Sequence, residues 1–303
     1  MKSLIASGDS LATQTWQLVQ GSPLARLSRA PRPTAAVIRG GTGRNYGQFM
    51  PDVHAMYQNA LTWRIRGDTA HGNEGRDIAN AWSGSLQALG GNAHRFLMAG
   101  TQGWRLANVG ELLRGYPGFD LGCFQSMLGN IFYPMNNDFL VSHNGACDTH
   151  YRVNWDTCDM ASVFAIGSFL DDQGMVNQAV NYFHGGVGNG CIYRAANSMH
   201  ENNRYYQGEE SGRDQVHTMG GFGWMTVLCE MAWKRGIDLY GTDGNRYAKA
   251  AHYIARYNGG TSVPCTSYSW QQRTNCSWKT EATIGSWQRG DTSPIWGMVR
   301  TTW

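Results

Sequence analysis

Apolar residues return at intervals of three and four through most of the chain, the spacing of one buried face on an α-helix. Residues 51–68 (PDVHAMYQNALTWRIRGD) and 73–91 (NEGRDIANAWSGSLQALGG) predict two such helices, the second ending on a glycine pair that reads as a C-cap. Residues 103–116 and 121–140 predict two more, the latter broken at Pro134. Residues 154–172 and 171–186 follow, joined by the acidic turn Asp171–Asp172, and 211–236 and 245–260 complete the set. Few runs alternate with period two, so strands are expected to be minor. Helices of this length on short turns imply an all-α fold of antiparallel hairpins, stacked or set in a ring. No composition break or strict repeat divides the chain. One domain is expected, with a looser Pro- and Trp-rich tail from about residue 260.

Composition narrows the function more than the fold. Charged residues are only 16% of the 303, while Gly (39) and Trp (12) are numerous. A surface poor in charge and rich in aromatic and amide groups suits sugar binding, because aromatic faces stack on pyranose rings. The net charge of +3 comes without a Lys/Arg stripe, which argues against nucleic acid but leaves room for a basic cleft that takes a polyanion. No apolar run approaches the roughly 20 residues of a membrane span, so no membrane partner is expected. The first residues, MKSLIASGDSLATQ, are too short and polar for a secretory leader.

Seven cysteines show no spacing that suggests zinc, and no metal site is expected. Cys265 and Cys276 bracket a polar loop with a glycosylation-type Asn275 and are candidates for a disulfide. Cys229, inside an apolar run, reads as a core thiol. The odd count leaves at least one thiol unpaired, and the balance leans towards a secreted protein.

Candidate chemistry concentrates at residues 207–221, QGEESGRDQVHTMGG, at the mouth of an apolar helix. Ser211 and Asp214 resemble a capping box that starts the helix near Gly212. Arg213 and His217, four apart, then share one face, and a helix start favours the neutral imidazole. Arg213 is unfavourable against the helix dipole unless an anion lies beside it: Glu209, Glu210 or a substrate carboxylate. A local Arg–Glu pair with a structural histidine fits these residues equally well. Asn144 and Asn154 flank a polar loop before the helix at 154–172, where capping is the plain role for Asn154. Tyr268 and Trp270, in SVPCTSYSW, fall on one side of an extended segment, as sugar platform, acid–base phenol or plug. No GxSxG, P-loop, HExxH or dinucleotide fingerprint is present.

The segments NWDTCDMASVFAIGSFLDDQGMVNQAVNYFHGGVGNG, EESGRDQVHTMGG, CEMAWKRGIDLYGTDGNRYAKAAHYIARYN and VPCTSYSW resemble the alginate-lyase-domain family of polysaccharide lyases. So does YQNALTWRIRGDTAHGNEGRDIANAWSGSLQALGG upstream, and the similarity runs from about residue 35 to 270. The resemblance implies an α/α toroid, an incomplete barrel of helical hairpins with a substrate cleft at one end. Residues 35–303 would form it and residues 1–34 would be an extension packed on the barrel. It also implies cleavage of a 1,4-linked polyuronate, alginate or glucuronan, by β-elimination without metal or other cofactor, in a monomer acting on an acidic polysaccharide. By that likeness Asn154 and Arg213 neutralise the substrate carboxylate, with Asn144 competing. His217 is the base, and Tyr268 is the acid or second base. Glu210 and Gln215 hold the site or bind sugar, with Trp270 and Tyr206 as further sugar contacts, and Tyr205 or Tyr206 is a rival phenol. Relatives often carry a histidine directly after the asparagine, where this chain has Trp155. Two other readings compete: a glycoside hydrolase using Glu209 or Glu210 with Asp156 or Asp159, and a non-catalytic polyuronate binder.

Overall fold

Each apolar run with three-four spacing contains a helix in the structure, a computed structural model that describes residues 2–290. The end of the expected tail, 291–303, lies outside the described residues. By its internal contacts the chain divides into two units, residues 1–135 with 169–171, and 136–168 with 172 onward.

The first unit holds α1 (Lys2–Ala6), α2 (Ser10–Gly21), β1 (Ala36–Arg39), α3 (Tyr46–Arg66), α4 (Thr69–Ser83), β2 (Ala88–Gly91), α5 (His94–Leu113) and α6 (Leu121–Met127). Phe49 meets Trp82 edge to face at 4.8 Å, and Phe132 packs on the same ring. The Trp82 indole N–H and the Arg29 guanidinium both reach the fully buried Asp52, at 2.9 and 2.6 Å. A carboxylate this deep stays only because it is paired and hydrogen-bonded. Arg29 and Ser28 also donate their backbone N–H groups to Glu74, which ties the segment before β1 to α3 and α4.

The helix expected over 73–91 is a correction: it stops at Ser83, and Ala88–Gly91 is a strand, parallel to β1 in the register Ala36↔Ala88 to Arg39↔Gly91. The glycine pair allows close strand approach instead of capping a helix. Gly91 sits at φ 114°, and a Cβ there would strike the Arg39 carbonyl. The break at Pro134 is milder than expected. A single π-turn (Leu128–Phe132) leads into α7 (Tyr133–Ser142), where the proline occupies the second position.

The second unit carries most of α7, then α8 (Val153–Phe169, less its last residue), α9 (Gln173–Gly185) and α10 (Ile192–Ala195). The hairpin β3 (Ala196–His200) with β4 (Tyr205–Gly208), α11 (Gln215–Lys234), α12 (Thr242–Asn258), and the hairpin β5 (Tyr268–Gln272) with β6 (Ser277–Glu281) complete it. α8 and α11 are apolar on nearly every face and buried accordingly, through Met160, Val163, Phe164 and Ile166 on one and Phe222, Met225 and Leu228 on the other. Their N-termini therefore open inside the unit, where orphan N–H groups must find partners.

The β5–β6 hairpin is latched to the loop before α8. Cys147 bonds Cys276, with Cα atoms 5.5 Å apart. Thr149 exchanges hydrogen bonds with the Gln271 backbone, and the Arg273 N–H donates to His150 Nδ1. The expected Cys265–Cys276 pair is thus corrected: Cys265 is an exposed free thiol, and Cys229 is buried in α11. A separation of only 11 positions made the wrong pair look natural, whereas the fold brings Cys276 to a partner 129 residues earlier. Closing so long a loop restricts the unfolded chain strongly, so Cys276→Ser should cost about 2–4 kcal/mol in denaturant unfolding. Cys265→Ser should leave the midpoint unchanged.

Candidate active site

The site grows from the N-termini of α8 and α11, both in the second unit. A 3₁₀ turn (Glu209–Gly212) precedes α11 and faces the start of α8. The Val153 and Asn154 N–H groups, orphans of the first turn of α8, point at Glu209 Oε2 (3.4 Å) and Glu210 Oε2 (3.1 Å). Two consecutive carboxyls are thereby drawn into the interior as external caps of a helix that lacks its own. The capping role considered for Asn154 is corrected: it lies inside α8, and its Oδ1 is buried with no hydrogen-bond partner among the described residues.

Two arginines answer these acids. Arg152, 7% exposed, lies 2.7 Å from Glu209 Oε1 through Nε, close but not aligned as a hydrogen bond. Its Nη2 donates to the Glu209 carbonyl at 2.9 Å and to the Tyr268 hydroxyl at 3.0 Å, and its guanidinium lies 4.0 Å over the Trp270 ring. Burial opposes the Arg152 charge, but Glu209, the Tyr268 phenol and Glu210 outweigh it and raise its pKa. Arg213 donates through Nη1 to Glu210 Oε1 at 3.2 Å. Burial first, then the neighbouring Glu209, pushes the Glu210 carboxyl up to about 8, against the pull of both arginines and the Asn154 N–H. Burial also raises Glu209, with Arg152 opposing.

The start of α11 departs from the capping-box expectation. Asp214, in extended backbone, is the N-cap, and the helix begins at Gln215 instead of near Gly212; Ser211 lies in the 3₁₀ turn with Oγ buried and unpartnered. Asp214 accepts from the His217 N–H (2.8 Å) and also holds His217 Nδ1 at 2.7 Å. His217 Nε2 lies 2.9 Å from Arg213 Nη2. A guanidinium only donates, so Nε2 accepts, and the proton of the ring sits on Nδ1 facing Asp214. The result is a carboxylate–imidazole dyad with its lone pair covered by an arginine, the imidazole being 33% exposed.

The Tyr268 hydroxyl accepts from Arg152 and from the Gly212 N–H at 3.1 Å. Burial raises this phenol above its usual range, which keeps the proton on it. Asn154, Glu210, Arg213 and His217 thus form one bonded cluster. Tyr268 belongs to a second around Arg152 and Glu209, and the 209–212 turn joins the two. Tyr268 also lines a cavity of about 350 Å³ that has neither His217 nor Arg213 in its wall.

The other expected contacts stand apart. Gln215 is buried, its amide spent on the Gly285 carbonyl and on Asn258, so it holds the site and offers nothing to sugar. Gly285 presses on the Arg213 carbonyl, where a Cβ would not fit. Trp270 is covered by Arg152 and Lys279, and Tyr206 is buried beneath Arg246, whose guanidinium is 4.0 Å from the ring. Tyr205 is fully buried and bonded to Arg256. Asn144 is exposed in a turn, its amide donating to the Tyr151 hydroxyl. Trp155 packs with Phe139 and Tyr151 as an aromatic cluster. The acids of the hydrolase reading offer no pair facing a bond, since Asp156, Asp159, Glu209 and Glu210 are all buried. Arg152, not named from the sequence, and Asp214, named there only as a capping residue, both belong to this cluster of contacts. The signal was there: an arginine just ahead of a largely apolar helix, and an acid three residues before the histidine it grips.

Because Glu210 titrates above its ordinary 4.5, the folded chain keeps a proton that the unfolded chain releases. Its contribution to stability is complete below about pH 4.5 and is lost as pH rises through about 8. Thermal unfolding measured from about pH 5 to 9 should therefore show Tm falling less steeply in Glu210→Gln than in the parent.

Residues 38–263 match the alginate lyase family. No curated protein matches the chain. Among solved structures, a histidine-to-alanine variant of alginate lyase A1-III complexed with tetrasaccharide is similar at a TM-score of 0.53 and 12% identity, over 80% of this chain and 74% of that one. At that identity the likeness is one of fold, the mostly helical α/α-toroid class expected from the sequence. Among the described residues no helix is long and apolar enough to cross a membrane, and no group of three or more His, Cys, Asp or Glu is placed to hold a metal ion.

Proposed function

The chain belongs to the alginate lyase family and is a polysaccharide lyase, and from that premise we propose that it cleaves a 1,4-linked polyuronate by β-elimination at the His217 site. The observation that carries the reading is the Asp214–His217–Arg213 chain: an oriented imidazole whose only acceptor faces a cation. A uronate carboxylate competes for that guanidinium. As Arg213 turns onto the substrate it uncovers the Nε2 lone pair, so binding and activation are one event.

Arg213, assisted by the amide N–H donors of Asn154, then offsets the carboxylate charge, which makes the adjacent C5 proton removable. His217 Nε2 takes that proton, and Asp214 holds the Nδ1–H of the resulting imidazolium. The electron pair left on C5 forms the C4–C5 double bond as the C4–O4 bond breaks. Tyr268 gives its proton to the departing O4, and the Arg152 and Gly212 donors steady the phenolate until it is reprotonated. Charge neutralisation by side chains leaves no step that calls for a metal. A periplasmic or secreted setting is part of the proposal, supported by the long-range Cys147–Cys276 bond.

Polymannuronate, polyguluronate and polyglucuronate should be offered separately while the ultraviolet absorbance of the unsaturated product is followed. His217→Ala should lower kcat by about 10²–10⁴-fold with a much smaller change in KM. Asp214→Asn should lower kcat in the same sense, and a chelator should leave the rate unchanged. New reducing ends without a conjugated double bond, or a kcat unmoved in His217→Ala, would remove the assignment.

A further inference from the structure

The cavity beside Tyr268 has walls that the proposed chemistry does not use. α10 and β3 supply Tyr193, Arg194 and Asn197, β6 supplies Trp278, and Asn189 and Tyr268 close the floor. About 350 Å³ is near the lower end for small-ligand pockets and fits a short stretch of sugar. Three independent features give its chemistry. Trp278 is 69% exposed, a large apolar face with no core to join, whereas Tyr193 already carries the Arg246 guanidinium 5.0 Å from its ring. The Arg194 guanidinium is exposed and pairs with no carboxylate among the described residues, and the one acid in the wall, Glu209, is already held by Arg152. Asn197 Oδ1 is buried without a hydrogen-bond partner and faces a need for a donor.

We infer that this cavity is a uronate subsite on the Tyr268 side of the scissile bond, in which Arg194 takes a carboxylate, Trp278 stacks on a sugar ring, and Asn197 accepts from a hydroxyl. The inference rests on the lyase reading for its substrate class. An aromatic rim alone would suit any pyranose. The unpaired arginine makes the subsite selective for an acidic ring, because a guanidinium and a carboxylate match in charge and geometry. Tyr268 forms part of the wall, so a chain seated here leads its next linkage towards the phenol assigned to protonate O4.

The test compares wild type with Arg194→Ala, Arg194→Lys and Trp278→Ala, all at exposed positions, with folding checked by thermal melting. Steady-state elimination on oligouronates of increasing length is paired with calorimetric titration of a short oligouronate and its carboxyl-reduced, neutral counterpart. Arg194→Ala should raise KM and Kd by about tenfold on the longer oligouronates, with kcat within about twofold, and should lose the preference for the acidic form. Arg194→Lys should keep most of that preference. Trp278→Ala should weaken acidic and neutral oligomers alike. The subsite is overturned if wild type eliminates normally while Arg194→Ala and Trp278→Ala match it in KM, Kd and preference. If wild type binds oligouronate with that preference yet forms no unsaturated product, the lyase mechanism fails and the subsite stands. If it neither binds nor eliminates, both fall.

Discussion

Two consecutive carboxyls, Glu209 and Glu210, are held inside the protein at the mouth of α8, and the site is arranged around that constraint. Neither could remain there alone, since desolvating an acid costs several kcal/mol unless charge and hydrogen bonds offset it. The helix contributes its free N–H groups, Arg152 takes Glu209, and Arg213 takes Glu210. Each partner is then fixed in place by a need that is structural in origin. Arg152 is left beside the Tyr268 hydroxyl and Arg213 beside the His217 ring, so the positions of both proposed proton carriers follow from how the two acids are satisfied.

The hairpin that brings Tyr268 depends on the same loop. β5 would be a weak two-stranded ribbon in isolation. Its disulfide, the Thr149–Gln271 exchange and the His150–Arg273 bond make it an extension of the segment that runs into Arg152 and α8. Phenol and arginine thus arrive from opposite directions but share one support. A polar site of this kind gains accuracy when its members rest on rigid elements instead of on long free loops. Trp155 fits this account: its ring locks against Phe139 and Tyr151, and the proposed mechanism assigns proton transfer to the start of α11.

The helices were legible because burial of a helical face leaves a three-four imprint that no other element produces. The cluster of Glu210, Arg213 and His217 was legible as a knot of charge before an apolar run. Long-range choices were not legible. Gly90–Gly91 reads equally as a helix stop and as a close strand partner, and only the presence of β1 decides. Cys276 has a nearby cysteine and a distant one, and spacing favours the wrong partner. Arg152 was invisible because its value comes from Glu209, 57 residues later, and from Tyr268 beyond it. Trp270 and Tyr206 looked like sugar platforms in a sequence that cannot say which aromatic is already covered by an arginine. Trp278, which no pattern picked out, is exposed.

The placement of Arg213 joins recognition to reactivity. The carboxylate grips His217 at Nδ1, which leaves the Nε2 lone pair as the ring's acceptor. A guanidinium at 2.9 Å occupies that lone pair with a donor that cannot let its proton go. Any ligand able to draw it away must carry a negative charge beside the atom to be deprotonated. A uronate does, a neutral sugar does not, and in the proposed mechanism selection for acidic polymers is then built into the resting state of the base itself.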